Sequence, residues 1–410
     1  MFEYVLKWLR GHYERIVNSI AFYPALIAIG FLLFSWLMLK LDLSEEGKEI
    51  KAYVSWIRLR DASTALSIVS TIAAGIISLT VFSFSMVMIV LNQAASQMSN
   101  RMLEGMISNR FQQVVLGIYI GIVVYALFLL TSIRNIDSGV YVPALSIYFL
   151  LLLTVLAIFL FIYFLHYVTQ SVKFETIIER VHKKTMHYLN KACTKLHAEN
   201  FIIPSSDPQI IYVSSSGYYQ GFDKKQLIEF ACRHSGIIQF IHPKGTYLLK
   251  GESLLIFYSY TKLFEKETND LLDLVNFYNG HPIEETPYYG FHQLAEVAIK
   301  ALSPAINDPE TAVLSIHALS DLFLFRIHNY ITDAFTDDEL TVRIHTTEWG
   351  FEDLFRECFY PIWNYGKKDR YIQKALKEMA QGLILADTQL KYTGFVTDFL
   401  DAIKKQIISS

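Results

Sequence analysis

The sequence ASTALSIVSTIAAGIISLTVFSFSMVMIVLNQAASQMSN occupies residues 62–100, between Asp61 and Arg101, and contains no ionisable side chain. A helix of these 39 residues would be about 58 Å long, at a rise of about 1.5 Å per residue. The hydrocarbon core of a bilayer is only about 30 Å thick. The segment therefore predicts a membrane-spanning helix that is much longer than one crossing requires.

Hydroxyl and amide side chains recur at every seventh position of this segment. They belong to Thr64, Thr71, Ser78, Ser85, Asn92 and Ser99. A spacing of seven residues returns to nearly the same face of a helix. The pattern therefore predicts one uncharged polar stripe along the helix.

This polar stripe has two interpretations. In the first, Ser and Thr bond to carbonyl groups of their own helix or contact a neighbouring helix, and the stripe serves packing. In the second, rotational symmetry brings identical stripes together, and they line a polar path through the membrane. A proton relay or a voltage sensor is disfavoured, because the segment lacks Asp, Glu, Lys and Arg.

Three further segments are apolar for long enough to cross a bilayer as helices. Together with the first they give four predicted spans, at about residues 20–39, 63–91, 114–130 and 141–168. The first span is predicted to be retained, because its 19 preceding residues carry Lys7, Arg10 and Arg15 and no cleavage pattern follows. In the third, Gly117 and Gly121 have the GxxxG spacing of closely packed helices, within one subunit or between two.

Charge divides the chain into two parts. Of its 36 Lys and Arg and 39 Asp and Glu, only 11 basic and 9 acidic residues occur in the first 171 positions. The sequence thus predicts a transmembrane domain at 1–171 in contact with the lipid bilayer, and excludes a fully soluble enzyme, a disordered chain and a disulfide-stapled secreted module. Because the net charge is −3, no basic face is expected for nucleic acid.

The distribution of Lys and Arg predicts cytoplasmic N- and C-termini. Nine basic residues flank the spans on the N-terminal side and five on the other: Lys7, Arg10, Arg15, Arg101, Arg110, Lys173, Arg180, Lys183 and Lys184 against Lys48, Lys51, Arg58, Arg60 and Arg134. Three widely spaced cysteines, Cys193, Cys232 and Cys358, suit a reducing compartment and predict no metal site. No cofactor is expected, and the absence of catalytic sequence motifs predicts that the protein is not an enzyme.

The soluble part is predicted to be α+β. Residues 172–262 suggest a helical stalk, continuing the fourth span to about residue 200, and a small β-rich subdomain; residues 263–410 suggest a mainly helical domain. Strands are expected at 210–213, 237–241 and 246–258, and a helix at 263–278. The predicted fold class is thus four transmembrane helices followed by an α+β cytoplasmic domain with a helical C-terminal part.

The turn from Ser303 to Pro309 is the most distinctive soluble segment. Pro309 is expected at the first position of a helix with Asp308 as its N-cap. Capping alone explains Asp308. The alternative is a ligand or subunit contact, formed by Gln293, Ser303, Asn307 and Asp308.

Two runs carry a resemblance to a known family. They are FHQLAEVAIKALSP at 291–304, continuing through AINDPETA to Ala312, and LNQAASQMS at 91–99. The chain resembles the bacterial predicted membrane proteins grouped as domain of unknown function 2254, and departs from their pattern at Lys300, Ala305 and Asn100. The resemblance implies a multi-pass protein of the bacterial inner membrane and implies no reaction.

Two functional hypotheses follow from the sequence. The first is a homo-oligomeric inner-membrane protein with a channel-like polar path, lined by the second span and regulated by the cytoplasmic domain. The alternative is a membrane-anchored scaffold or sensor, whose cytoplasmic domain binds a partner or ligand without transport. It is motivated by the 239 residues that follow the predicted spans.

Overall fold

The computed structural model describes residues 21–47, 49, 61–97, 110–136, 139–171, 173–194, 208–278 and 287–409. The chain forms two compact units, residues 1–173 and 174–410. Within the described residues of the first unit, four helices are long and apolar enough to cross a membrane: α1 Phe22–Leu43, α2 Ala62–Gln97, α3 Arg110–Ser132 and α4 Ala144–Ser171. The four predicted spans are confirmed as helices, and α2 extends beyond the apolar segment to Gln97.

The third span is the centre of the membrane unit. Helix α3 packs against α1, α2 and α4, and its buried face carries Val115, Tyr119, Ile122, Ala126 and Leu129. The second span therefore does not occupy the centre of a single chain. It packs one face on α3 and α4 and keeps the other face outward.

Gly117 and Gly121 lie where α3 crosses α1 of the same chain. A Cβ atom at Gly117 would lie 2.7 Å from Cδ1 of Ile27, and one at Gly121 would overlap the ring of Phe31. Side chains at these positions would push the two helices apart. The GxxxG spacing thus permits close packing of the first and third spans within one chain.

A buried carboxylate joins α1 to α4. Asp42 is only 1% exposed, and its oxygens accept hydrogen bonds from the backbone N–H of Leu145 at 3.2 Å and of Ser146 at 2.9 Å. These N–H groups belong to the first turn of α4, where they have no partner within the helix. Tyr125 Oη of α3 donates to the Ser146 carbonyl at 3.2 Å. Asp42 therefore caps α4 from another span, beside a contact from α3.

A short hairpin lies between the third and fourth spans. Its strands are β1 Arg134–Ile136 and β2 Gly139–Tyr141. The second unit begins with α5 Phe174–Ala192 and β3 Cys193–Thr194, and continues with β4 Pro208–Tyr212, β5 Gly217–Phe222, α6 Lys224–Arg233, β6 Ile237–Phe240, β7 Tyr247–Leu248, β8 Ser253–Tyr258, α7 Glu265–Asp273 and β9 Val275–Tyr278. After them come α8 Pro287–Ala301, α9 Pro309–His328, β10 Tyr330–Ile331, β11 Ala334–Thr336, β12 Val342–His345, α10 Phe351–Gly366, α11 Arg370–Ala386 and α12 Thr393–Ser409.

Most described strands of the second unit form two sheets. One has the order β11-β12-β6-β8-β4, in which only β12 and β6 are parallel, and the other has the order β7-β5-β9. Strands β3 and β10 form a separate antiparallel pair. Because β11 and β12 follow residue 263, the larger sheet combines strands from both predicted parts of the soluble region. The predicted α+β class is confirmed.

Three local predictions differ from the structure. The fourth span ends at Ser171 and α5 is a separate helix, so the predicted continuous helix is wrong. The helix predicted at 263–278 ends at Asp273, because Val275–Tyr278 instead pairs with β5. The strand predicted at 246–258 is divided between the two sheets by a turn in which Gly251 adopts a φ of +89°.

Helices α8 to α12 form the helical layer of the second unit. Phe323 of α9 lies in an aromatic cluster, with ring centroids 5.0 Å from Phe291, 5.6 Å from Phe355 and 5.2 Å from Phe359. Helix α5 packs against α8 and α9, and a Cβ at Gly290 would overlap the hydroxyl of Thr185. The close approach of α5 to α8 therefore requires glycine at this position.

We expect Asp42→Ala to destabilise the membrane unit, because the buried N–H of Ser146 and the partly buried N–H of Leu145 lose their acceptor, at a cost of about 1–3 kcal/mol for a fully buried group. The midpoint temperature of thermal unfolding in detergent should fall, and Asp42→Asn should have a smaller effect. Asp61→Ala is the matched control, since Asp61 accepts from the first N–H groups of α2 but is exposed to water. Equal effects of the two alanine variants would contradict the role of Asp42.

Candidate functional site

The polar stripe of α2 lies on a face that no other described helix covers. Its five described positions are all exposed, namely Thr64, Thr71, Ser78, Ser85 and Asn92, while Ser99 lies outside the described residues. The opposite face is buried against the rest of the unit through Ala65, Val69, Ile72, Ala73, Ile76, Val87 and Val90. The inner face of the helix is therefore mostly apolar, and the outer face combines the polar stripe with exposed apolar side chains such as Ile77 and Val81.

The stripe hydroxyls are partly satisfied by their own helix. Thr71 Oγ1 donates to the Ser67 carbonyl at 2.7 Å, and Ser78 Oγ donates to the Ala74 carbonyl at 3.0 Å. These bonds use the hydroxyl proton and leave the oxygen lone pairs as acceptors. The stripe can therefore face lipid at small cost, yet still accept hydrogen bonds from water or another polar group.

The middle of the stripe carries small residues. Apart from the adjoining backbone and neighbouring residues of α2, no atom lies within 4 Å of the position that a Cβ would take at Gly75, and Ala74 beside it is exposed. Larger exposed side chains flank it further along the helix, at Val81, Phe82, Phe84 and Ile89. Small residues at this position would let the backbone of another helix approach closely.

One hydroxyl of α2 points inward. Ser83 is completely buried and lies next to the equally buried hydroxyl of Tyr119 on α3. It stands apart from the seven-residue pattern of the stripe. Polar groups of α2 thus occur on both faces, and only the outer set is regular.

The turn before α9 is held by its own hydrogen bonds. The Asp308 carboxylate accepts from Thr311 N at 3.1 Å and from Thr311 Oγ1 at 2.6 Å, which makes it the N-cap of α9. Asn307 is exposed and has a φ of +49°, and its N–H donates to the Ser303 carbonyl at 2.9 Å. Gln293 is buried in α8, about 12 Å along the helix from Ala301, so it does not join these residues.

A partly buried polar cluster, which the sequence did not predict, surrounds Glu348 in the loop after β12. The carboxylate accepts hydrogen bonds from Tyr288 Oη at 2.6 Å and from Thr346 Oγ1 at 2.9 Å. The next residue, Trp349, donates through Nε1 to the Lys244 carbonyl at 3.2 Å, and its own carbonyl accepts from Arg326 Nη2 at 3.4 Å. We call Tyr288, Glu348, Thr346, Lys244, Arg326 and Trp349 the Glu348 cluster.

Burial controls the electrostatics of the Glu348 cluster. It raises the pKa of Glu348, against the hydrogen bonds from Tyr288 and Thr346 and the positive charges of Lys244 and Arg326. Burial also raises the pKa of Tyr288 and of Tyr219, and in both the charge of Glu348 adds to the effect. Among the described contacts, the completely buried Tyr219 hydroxyl has no hydrogen-bond partner.

The sequence carries little signal for this cluster. Its members come from the β6–β7 turn, α8, α9 and the loop after β12, so no local spacing connects them. Across the described part of the chain, no group of three or more His, Cys, Asp or Glu side chains is arranged to hold a metal ion. The cysteines are free, with Cys232 exposed and Cys358 buried.

The apolar helices and the α/β unit that follows them define a multi-pass membrane protein. The chain belongs to the family of predicted membrane proteins named DUF2254, which it matches over residues 17–381. The uncharacterized protein Rv1290c of Mycobacterium tuberculosis (strain ATCC 25618 / H37Rv) is 27% identical over 247 residues, which cover 58% of this chain and 47% of the relative.

A second relative has the same extent of similarity. The uncharacterized protein Mb1321c of Mycobacterium bovis (strain ATCC BAA-935 / AF2122/97) is also 27% identical over 247 residues, with the same coverage of both chains. The chain spans about half the length of these curated relatives. No solved structure matches it.

Glu348 should make the stability of the protein depend on pH. Its pKa is higher in the folded chain than the value of about 4.3 for an unperturbed Glu. The folded state therefore binds this proton more tightly, and stability falls as pH rises from about 4.3 through the folded pKa. We expect Glu348→Gln to remove this pH-dependent loss of stability. The difference in unfolding temperature between the variant and the parent chain should therefore grow from acidic to neutral pH, in favour of the variant.

Glu229→Gln on α6 is the control, because Glu229 is exposed. Thermal unfolding of the full chain in detergent, followed by intrinsic fluorescence across this pH range, measures the difference. An advantage of Glu348→Gln that stays constant with pH would contradict the effect of burial.

Proposed function

We propose that the protein is a homo-oligomer whose second spans meet around a channel-like polar path, regulated by the soluble unit. The observation that supports this proposal is the exposure of all five described stripe residues on a single chain. A stripe that served packing within one chain would be covered by a neighbouring span. Here the neighbours pack on the opposite face.

The length of the exposed stripe supports a path across the whole membrane. Thr64 and Asn92 are 28 residues apart, or about 42 Å along a helix. This distance exceeds the roughly 30 Å of bilayer hydrocarbon. Stripes from several copies would therefore provide a hydroxyl or amide group about every 10 Å across the membrane.

Symmetry is required because the described residues of one chain do not enclose such a path. The face that α3 turns to its neighbours carries mostly apolar side chains, such as Val115, Ile122 and Leu129. Copies arranged around an axis would place identical stripes opposite each other. The described stripe contains no charge, so the path would discriminate by size and hydration more than by ionic charge.

The orientation forms part of the proposal. The excess of Lys and Arg on the N-terminal side favours cytoplasmic termini in the bacterial inner membrane. The unit from Phe174 onward would then lie in the cytoplasm. In this function the protein is not an enzyme.

Cysteine labelling tests the polar path. In a full-length background with Cys193→Ser, Cys232→Ser and Cys358→Ala, single cysteines replace Thr71, Ser78 or Ser85. We expect a small water-soluble thiol reagent to label all three in membranes, because water reaches the stripe. A cysteine at Phe159 is the matched control, since this residue is 66% exposed on α4 outside the stripe.

Oxidative cross-linking of the same variants distinguishes the remaining outcomes. Labelling of the stripe with protection of the control supports the path. Protection at all three positions with disulfide formation between copies would show a dry helix contact and would contradict the path. Protection without cross-linking would contradict the oligomer at this face as well.

The alternative function is a membrane-anchored scaffold or sensor that transports nothing. The Glu348 cluster favours it, because the soluble unit holds a partly buried carboxylate near two cations and a tyrosine hydroxyl without a hydrogen bond. Flux of small solutes into proteoliposomes separates the two functions. Absence of flux in a labelled oligomer would favour the scaffold or sensor.

A further inference from the structure

An apolar cleft lies between the first and fourth spans. Its volume is about 340 Å³, and its walls are Ile27, Gly30, Phe31 and Phe34 of α1 with Phe149 and Leu153 of α4. None of these side chains offers a hydrogen bond to water. Apolar cavities of about 150 Å³ with Leu, Ile and Phe walls stay dry and take up benzene. The cleft therefore has room for hydrocarbon and no groups to hold water.

The packing of α1 and α4 explains the position of the cleft. The Asp42 cap fixes one end of the helix pair. The rings of Phe34 and Phe149 meet with centroids 5.1 Å apart. Next to them, Gly30 leaves open space, because no atom lies within 4 Å of the position that its Cβ would take. The absence of a side chain at Gly30 thus helps to form the cleft.

The residues at the end of α1 indicate how deep in the membrane the cleft lies. Lys40 lies with Nζ 3.8 Å from the ring centroid of Trp36, and Trp and Lys are typical of the membrane interface. Gly30 is ten residues before Lys40, so it lies about 15 Å deeper along the helix. This distance is half of the roughly 30 Å hydrocarbon core. The cleft therefore opens near the middle of the bilayer.

The surfaces around the cleft are also apolar. Exposed side chains beside it on α1 and α4 are Leu26, Ile29, Leu33, Leu152, Val155 and Leu156. Acyl chains make up most of the hydrocarbon at this depth of a bilayer. The polar stripe lies on α2, which does not line the cleft.

We propose that this cleft is a binding site for one acyl chain of a phospholipid, with its headgroup at the Lys40 end of α1. The bound chain would fill the space between the first and fourth spans beyond the Asp42 cap. It would add apolar contact between two helices that also meet at the cap and at the Phe34–Phe149 pair. This site is independent of the polar path, because it uses a different face of the unit.

Photocross-linking tests the site in the full-length protein. The chain is reconstituted in vesicles of phosphatidylethanolamine and phosphatidylglycerol, with a trace of phospholipid that carries a diazirine near the end of one acyl chain. After irradiation, mass spectrometry should find cross-links in residues 27–34 and 149–153. These cross-links should saturate as the probe concentration rises.

Glycine variants provide the matched comparison. Gly30→Leu should lower cross-linking at the cleft by about tenfold, because added bulk fills the space of the acyl chain. Gly30→Ala should lower cross-linking by a smaller factor. This variant serves as the test if Gly30→Leu does not fold. Gly75→Leu makes the same change at an equally open glycine of α2. It should leave cross-linking at the cleft unchanged.

Two results would overturn the acyl-chain site. One is cross-linking that is equal at the cleft and at exposed residues such as Leu127 of α3, which would indicate only the surrounding lipid. The other is cross-linking at the cleft that neither Gly30 variant reduces. Neither result depends on whether the stripe is labelled by thiol reagents, so the two proposals fail separately.

Discussion

The fold of the membrane unit depends on one constraint, which is that backbone polar groups in hydrocarbon must find partners within the protein. Helix interiors meet it through their own hydrogen bonds, but the first turn of α4 cannot. Asp42 meets it for Leu145 and Ser146. Burying a carboxylate is costly, and several charge-assisted hydrogen bonds offset that cost. The cap thereby sets where α1 lies against α4, and with it the Phe34–Phe149 contact.

The same constraint explains why α2 tolerates a polar stripe on its outer face. Thr71 and Ser78 bond to carbonyls of their own helix, so their protons need no partner from elsewhere. The inner face of α2, with Ala65, Val69 and Ile76, supplies the packing that the fold requires. The outer face contributes little to that packing. Its chemistry is therefore free to serve a function.

Residues whose partners are close in sequence could be predicted, and residues whose partners are distant could not. The predicted cap Asp308 bonds to an N–H three residues later, so local pattern is sufficient. Asp42 bonds to a residue 104 positions later, and Glu348 to one 60 positions earlier. The strand Val275–Tyr278 likewise depends on β5, more than fifty residues before it, which overrides its resemblance to a helix.

The central position of α3 determines how the remaining faces can be used. Because α3 supplies much of the buried surface, α1, α2 and α4 each keep an outward face. On α1 and α4 that face is formed by Leu, Ile and Phe, which gain nothing from water and pack well with lipid. On α2 it is mixed: Thr and Ser of the stripe can accept hydrogen bonds, and apolar side chains such as Ile77, Val81 and Phe82 are exposed around them. The outward face of α2 thus differs from those of α1 and α4 in its regular hydroxyl groups, which the proposed oligomer would use.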